Sequence, residues 1–269
     1  MKKETTEYSR LVRMFATPPA FPASEREMKT LKEADTFTVR FDDWDLPCYG
    51  FGQGKTILLC HGWGSRAGHL TLLAGALARA GFRAVAFDAP AHYSLPIEKN
   101  KEYSNMFEIG RAISLVSRSL GEVYGVFGHS LGAMASLFAM AAFPHMEDCA
   151  FSCRKLVLAS TPATTRHVLA NFGQTHSLSA AEQSTLEEEL QTTFAMAIAD
   201  YDCARALQAI PGEKLIIQDE NDEHFVMEET LARTAAPGSA RILVTQKLGH
   251  NRVLASKQVF AEIINFLES

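Results

Sequence analysis

The sequence predicts an α/β fold: a mostly parallel central sheet of about eight strands, flanked by helices and carrying a small helical cap. Three observations support this prediction. Short apolar runs recur along the chain, helix-periodic segments separate most of them, and one long helical stretch interrupts the alternation. Alternating strands and helices are typical of a parallel sheet that is covered by helices on both faces.

Eight segments have the composition of strands. The first two alternate or mix polar and apolar residues around a turn-like DDWD, and most of the others are short apolar runs, as expected for strands buried on both faces. The predicted strands are 35–41, 46–52, 56–62, 82–90, 123–128, 154–161, 212–222 and 240–246. Helices are predicted at 69–81, 105–121, 130–143 (ended by Pro144), near 226–236 and at 253–268.

Two parts of the chain fall outside this alternation. Residues 1–34 are polar, are interrupted by the proline-rich TPPAFPAS, and are expected to form an N-terminal helical or irregular extension outside the core. Residues 35–269 form the main domain. Within it, about 161–212 is helical without a strand, and an insertion of this length in a compact sheet predicts a cap or lid.

Composition narrows the possible functions. The chain has 269 residues, 47% of them hydrophobic, a net charge of −5 and a pI of about 6.0. Without a basic field we expect no nucleic-acid partner, and without an apolar run of about 18 residues we expect no membrane span. The N-terminus lacks the apolar stretch of a secretory signal, and the five scattered cysteines are interpreted as reduced thiols without a metal, which favours a cytoplasmic protein.

The candidate nucleophile is Ser130, in the segment YGVFGHSLGAMAS. It follows an apolar strand and precedes an alanine-rich helix, which is the context of a nucleophile elbow. Gly128 and Gly132 stand two residues to either side, where a side chain would collide if strand and helix approach at a sharp turn. The alternative is an ordinary glycine-containing turn between a strand and a helix.

A serine hydroxyl needs a base, and the base needs a carboxylate to orient it. His250 lies between the last strand and the last helix, at the same predicted sheet edge as Ser130. Asp222 is the favoured acid because it lies beyond the preceding strand, 28 residues before His250; Asp219 is the second candidate. A surface histidine and an acidic loop without catalytic role remain the alternatives.

An oxyanion would need preorganised N–H donors. The backbone N–H of Leu131, at the start of the helix, is one candidate. The other is the backbone N–H of Trp63, in the HGWGS loop that follows a buried strand, and its indole is expected to line a pocket or to cover the sheet edge.

The motifs LLCHGWGS, GHSLGA, QDENDEHFV and LGHNRVL together resemble the α/β-hydrolase family, over about residues 35–269, and microbial carboxylesterases in particular. The resemblance implies that Ser130, Asp222 and His250 are nucleophile, acid and base. One element departs from the family: FDAPAHYS has Ala91 and Tyr93 where glycines are usual. Tyr93 is expected to pack on the surface, with projection toward substrate as the alternative.

The expected function is a serine hydrolase that cleaves a carboxylic ester or thioester of a small, partly apolar substrate, without metal or organic cofactor. Cleavage of an amide or C–C bond by the same triad remains open. A second class also remains open, namely a catalytically idle protein that binds a small ligand in the pocket. A third possibility is that residues 1–34 bind a partner.

Overall fold

The computed structural model describes residues 8–94, 101–194, 201–225 and 240–269. These residues contain one eight-stranded sheet, as the sequence predicts. Its strands are β1 (Asp35–Phe41), β2 (Trp44–Phe51), β3 (Lys55–Cys60), β4 (Phe82–Phe87), β5 (Gly125–His129), β6 (Lys155–Ala159), β7 (Glu213–Asp219) and β8 (Arg241–Thr245).

The sheet has the order β1-β2-β4-β3-β5-β6-β7-β8. Strand β2 runs antiparallel to both of its neighbours, and all other neighbouring strands are parallel. The carboxyl ends of β3 to β8 therefore meet at one edge of the sheet. Ligands of open parallel sheets bind at this edge.

Helices cover both faces of the sheet. Those in the described ranges are α1 (Arg10–Ala16), α2 (Glu25–Lys32), α3 (Thr71–Arg79), α4 (Met106–Leu120), α5 (Leu131–Met140), α6 (Thr165–Thr175), α7 (Ala180–Phe194), α8 (Cys203–Ala209), α9 (Gly249–Arg252) and α10 (Lys257–Glu268). On β3, Leu58 packs in the apolar layer shared with α4 and α5, whereas Ile57 and Leu59 pack in the layer shared with α3 and α10. The strand is thus buried on both faces, which accounts for its continuous apolar sequence.

Three sequence-based expectations need correction or fall outside the described ranges. Trp44 and Asp45 belong to β2, so the turn after β1 is shorter than DDWD. Helix α5 ends at Met140, before Pro144, because the chain turns at Ala142, which has a φ of 51°. The helix expected near 226–236 lies outside the described residues.

The N-terminal segment packs against the core, contrary to the expectation that residues 1–34 lie outside it. In α1, Leu11 and Val12 are buried, and in α2 Leu31 has no exposed surface. Apolar residues were too sparse there to show a helical stripe, so the burial was not visible in the sequence. Between β6 and β7, residues 161–194 and 201–212 contain helices α6 to α8 and no strand.

Candidate active site

Ser130 occupies the sharp turn between β5 and α5. Its backbone has φ 52° and ψ −123°, a conformation that a residue with a β-carbon rarely adopts. The turn is held by its surroundings: the Ser130 N–H donates to the Ala159 carbonyl at 2.9 Å, and the Ser130 carbonyl accepts from Ala133 at 3.0 Å. Strained backbone of this kind is concentrated at functional sites.

The two glycines around Ser130 are required by close packing. A β-carbon on Gly128 would lie 2.4 Å from the Cα of Ala133, and one on Gly132 would lie 2.2 Å from the carbonyl oxygen of His61. Neither neighbour can move easily because both contacts are with backbone atoms. The spacing of the Gly-x-Ser-x-Gly motif therefore follows from the approach of β5, α5 and the loop after β3.

His250 and Asp222 form a buried pair at the same edge of the sheet. His250 lies in α9, and its Nδ1 is 3.1 Å from Oδ2 and 3.2 Å from Oδ1 of Asp222. The Asp222 side chain is fully buried and that of His250 is 8% exposed. A carboxylate at Nδ1 favours the tautomer with its proton on that nitrogen, which leaves the lone pair of Nε2 available as a base.

The Asp222 carboxylate is also held by the loop after β7. Oδ1 accepts the N–H groups of His224 at 2.9 Å and Phe225 at 3.1 Å, and Oδ2 accepts from Nε2 of Gln218 at 3.1 Å. Burial alone would raise the pKa of Asp222, but these hydrogen bonds and the one from His250 outweigh it and keep the pKa below its usual value. Asp222 is therefore ionised at neutral pH.

Asp219, the second candidate acid, does not contact the imidazole of His250 through a hydrogen bond between described residues. Its buried carboxylate accepts from the Thr245 hydroxyl at 2.7 Å and from the N–H groups of Leu248 at 3.1 Å and Gly249 at 2.9 Å. Asp219 thus fastens the loop that carries His250 to the end of β7. The neighbouring Glu223 is exposed, and its Oε2 accepts the His250 N–H at 3.2 Å.

The two proposed oxyanion donors belong to segments that meet at Ser130. A β-carbon on Gly62 would lie 2.9 Å from the Ser130 β-carbon, so the loop carrying Trp63 passes directly beside the serine. Leu131 is the first residue of α5, where the N–H groups have no partner within the helix. Among the described residues, neither the backbone N–H of Trp63 nor that of Leu131 donates a hydrogen bond to another protein group.

Three buried histidines, His61, His92 and His129, support the segments around Ser130. Nδ1 of His61 donates to the Gly62 carbonyl at 2.8 Å, and its Nε2 accepts from Ala89. Nδ1 of His92 donates to the Pro90 carbonyl at 2.8 Å, and its Nε2 accepts the Gly64 N–H at 3.1 Å. These bonds fix the course of the HGWGS loop.

Burial keeps all three histidines neutral. It lowers the pKa of His92 to about 4 and that of His129, which also lies beside His250, to about 3. It lowers the pKa of His61 well below its usual value. His129 is the histidine of the GHSLG motif, and its ring lies 4.9 Å from that of His250.

The segment FDAPAHYS is held by hydrogen bonds within itself and to the segment that follows the HGWGS loop. Asp88, fully buried at the end of β4, accepts from the Ser94 hydroxyl at 2.7 Å and from the Ala67 N–H at 2.8 Å. Ala91 takes the conformation of a glycine, with φ 66°. The Tyr93 hydroxyl accepts from the Lys101 N–H at 2.8 Å, so this side chain is packed against its own loop.

Comparison with known proteins identifies the family of this chain. The model of a family described as "Alpha/beta hydrolase family" matches residues 57–263, which is more than half of the chain. The chain belongs to the α/β-hydrolase family. No curated protein was found to be similar to this α/β hydrolase.

Solved structures resemble the hydrolase in fold at low sequence identity. An esterase of Pyrococcus furiosus has a TM-score of 0.68 and 16% identity, covering 94% of this chain and 96% of its own. An esterase of Exiguobacterium antarcticum has a TM-score of 0.64 and 17% identity, with 86% and 99% covered. The thioesterase domain of a curacin biosynthetic pathway has a TM-score of 0.61 and 16% identity, with 88% and 99% covered.

A cavity of about 730 Å³ opens beside Ser130 in this α/β hydrolase. Ser130, His250, Leu131 and Trp63 line it on the side of the sheet, and the inserted helices α6 and α7 line it on the other. The N-terminal segment contributes residues 14, 15 and 17–20. Most of the lining is apolar, so the cavity suits a ligand with an apolar part.

The described ranges of the hydrolase contain neither a candidate metal-binding group nor a candidate membrane-spanning helix. There, no group of three or more histidine, cysteine, aspartate or glutamate side chains is arranged to hold a metal ion. Likewise, no helix in the described ranges is both long enough and apolar enough to cross a membrane.

Proposed function

We propose that this α/β hydrolase is a serine hydrolase that cleaves carboxylic esters or thioesters of small, partly apolar substrates. The observation that carries the proposal is the pairing of His250 Nδ1 with the buried Asp222 carboxylate at 3.1 Å, at the rim of the cavity that Ser130 also lines. An ionised acid, an oriented base and a serine on a strained turn are the parts of an acyl-transfer site.

In the first half-reaction, Nε2 of His250 takes the proton of Ser130 while Oγ bonds to the carbonyl carbon of the substrate. The negative charge moves to the carbonyl oxygen, which accepts hydrogen bonds from the N–H groups of Trp63 and Leu131. The start of α5 adds the positive end of a helix dipole at this point. Collapse of the intermediate expels the alcohol or thiol, which takes its proton from His250 and leaves an acyl-Ser130.

The second half-reaction uses the same groups. His250 removes a proton from water as its oxygen bonds to the acyl carbon, and the same N–H donors hold the oxyanion. The bond to Ser130 then breaks, the serine recovers its proton from His250, and a carboxylic acid leaves. Asp222 stabilises the imidazolium in both steps and keeps its own charge throughout.

The substrate class rests on the cavity and on the similarity to esterases and to a thioesterase. The apolar lining favours an uncharged acyl group. The esterases and the thioesterase domain share the fold with this chain at 16% to 17% identity, and their activities are known only for those proteins. Hydrolysis of an amide or of a C–C bond would use the same triad. The alternative, a catalytically idle binding protein, would hold a small ligand in the cavity without converting it.

Hydrolysis of p-nitrophenyl esters from acetate to decanoate, with the native protein and Ser130→Ala side by side, tests the proposal. We expect turnover that falls at least a thousandfold in Ser130→Ala. Ser119→Ala, a change of an exposed serine on α4, is the matched control and should retain activity. Parallel acyl-thioester substrates decide between the two classes of substrate.

A fluorophosphonate probe, which labels an activated serine, distinguishes an enzyme with a narrow substrate range from a catalytically idle binding protein. Labelling at Ser130 that is lost in His250→Ala would support a hydrolase with a demanding substrate. Absence of both ester turnover and labelling would contradict the proposal and favour the binding protein.

A further inference from the structure

The N-terminal segment is fastened to the inserted helices above the site. The Ser9 hydroxyl donates to the Glu189 carboxylate, and Nη2 of Arg10 lies 2.9 Å from Oε1 of Glu182. Both acceptors belong to α7, and the buried Leu11 anchors the same turn of α1 in the apolar core. One end of the segment is therefore attached to the cap.

A second attachment joins the segment to the loop beside Ser130. Arg66 follows the HGWGS residues, and its side chain is only 5% exposed. Its Nη2 lies 3.0 Å from Oε2 of Glu27, and its Nη1 donates to the Phe21 carbonyl at 3.0 Å. Although burial would raise the pKa of Glu27, hydrogen bonds from Ser24 and Arg66 lower it, so the pair is charged at neutral pH.

Residues 14–20 run between these two attachments and form a wall of the cavity. The Ala16 carbonyl accepts the Ser104 N–H at 2.9 Å, which fixes the middle of the run. Pro19 packs on Gly64, where a β-carbon would lie 2.7 Å from the proline Cγ. The wall is thus held in place on three sides, by α7, by the segment at Ser104 and by the loop after β3.

An aromatic contact closes the space between this wall and the cap. The ring of Phe15, at the end of α1, lies 5.0 Å from the ring of Phe172, on α6, at an interplanar angle of 84°. Both side chains are partly buried and both line the cavity. The family model begins at residue 57, so Phe15 lies in a part of the chain that this model does not describe.

We infer that the contact between Phe15 and Phe172 limits the length of the acyl chain that the cavity accepts. The inference rests on the proposed function, because it assigns the apolar cavity to the acyl part of the ester or thioester. The acyl chain lies between residues 14–20 and helix α6, and it ends against the two rings. The N-terminal segment is therefore a specificity-determining part of the enzyme.

Removal of one ring should shift selectivity toward longer chains. Each additional buried methylene improves binding about fourfold, so in Phe15→Ala we expect the ratio of kcat/KM for p-nitrophenyl decanoate to that for the butanoate to rise at least about tenfold. Phe172→Ala should shift the ratio in the same direction. Phe21→Ala is the matched control, since this phenylalanine belongs to the same segment, is 64% exposed and lies outside the cavity lining.

A binding measurement keeps the inference separate from the proposed function. In the Ser130→Ala background, calorimetric titration with decanoate and butanoate gives the same selectivity without turnover. A preference that moves toward decanoate in both phenylalanine variants supports the inference even if no ester is cleaved. A selectivity that stays unchanged in both variants, while Ser130-dependent hydrolysis is present, overturns the inference and leaves the proposed function intact.

Discussion

Nε2 of His129 donates a hydrogen bond to the carbonyl oxygen of His250 at 2.9 Å. The same oxygen accepts from the Ser160 hydroxyl at 3.2 Å. The residue before the proposed nucleophile therefore holds the backbone of the proposed base, and β5 is joined directly to α9. His129 acts as a positioning residue, because its own ring is neutral and its Nδ1 has no partner among the described residues.

Replacement of His129 should reduce kcat more than it changes KM. In His129→Phe the donor is lost and the His250 carbonyl keeps only Ser160, so the imidazole is less well oriented and we expect kcat to fall about tenfold to a hundredfold. His129→Gln retains a donor and should recover part of the loss. Steady-state kinetics on one ester measures the split. Equal loss in the Phe and Gln variants would contradict the positioning role.

Replacement of the two aspartates at and after the end of β7 should affect different properties: mainly activity for Asp222 and mainly stability for Asp219. Asp222→Asn removes the charge opposite Nδ1 of His250 and favours the wrong tautomer, so kcat/KM should fall by about 10³ to 10⁴. Asp219→Asn weakens the acceptor of the Thr245 hydroxyl and the Leu248 N–H, so it should lower the melting temperature while kcat/KM falls much less. Kinetics and thermal melting of both variants check this. The reverse pattern would make Asp219 the catalytic acid.

Stability should fall steeply in mild acid. An unfolded histidine binds its proton near pH 6.5, whereas the folded pKa is about 4 for His92 and about 3 for His129. Between pH 6.5 and 4 the unfolded chain holds more protons, so the free energy of unfolding decreases as pH falls, by up to about 1.4 kcal/mol per pH unit for each histidine.

Urea unfolding between pH 4 and 8 measures this dependence. In His92→Gln the slope should decrease by the contribution of one histidine, because the group whose pKa is lowered by burial is removed. A slope that is the same in the native protein and in His92→Gln would show that His92 does not contribute.

Gly132 and Gly75 provide a matched pair of helical glycines. A β-carbon on Gly132 would lie 2.2 Å from a backbone oxygen, so Gly132→Ala must displace the loop after β3 and should destabilise the fold by about 3 kcal/mol or more. A β-carbon on Gly75 would meet only the Arg79 side chain at 3.4 Å, and Gly75→Ala should stabilise by up to about 1 kcal/mol. Denaturant unfolding of both variants tests the difference, and equal effects would contradict it.

The strands were predictable because burial on both faces leaves a strong signal. Segments such as ILLC are continuous runs of apolar residues. The turns that follow these strands at the sheet edge begin with residues such as His61 and Gly62 after β3 and Asp88 after β4. The same reasoning predicted that Ser130, Asp222 and His250 follow the carboxyl ends of parallel strands, and in the structure they follow β5, β7 and β8 at one edge of the sheet. Helix α5 was predicted too long because Ala142 adopts a left-handed conformation without a glycine to indicate it.

The role of the N-terminal segment was not predictable from local sequence. Its attachments join Ser9 to Glu189 and Arg66 to Glu27, pairs that are far apart in the chain and lie in polar stretches with no apolar period. The structural role of His92 was also not predicted, since it depends on which backbone groups lie beside the ring. Long-range pairing of this kind is fixed by tertiary packing, and no residue pattern indicates it.

The wall formed by residues 14–20 precedes the first strand of the sheet. Ser130, Asp222 and His250 are held by strand ends and by loops between strands, whereas this wall is held by side chains and by the backbone hydrogen bond from Ser104 to Ala16. Exchanging Phe15 in this wall should leave strand register and the turn at Ser130 untouched. The proposed selectivity could therefore be redesigned at a residue on which the reacting groups do not depend for their own alignment.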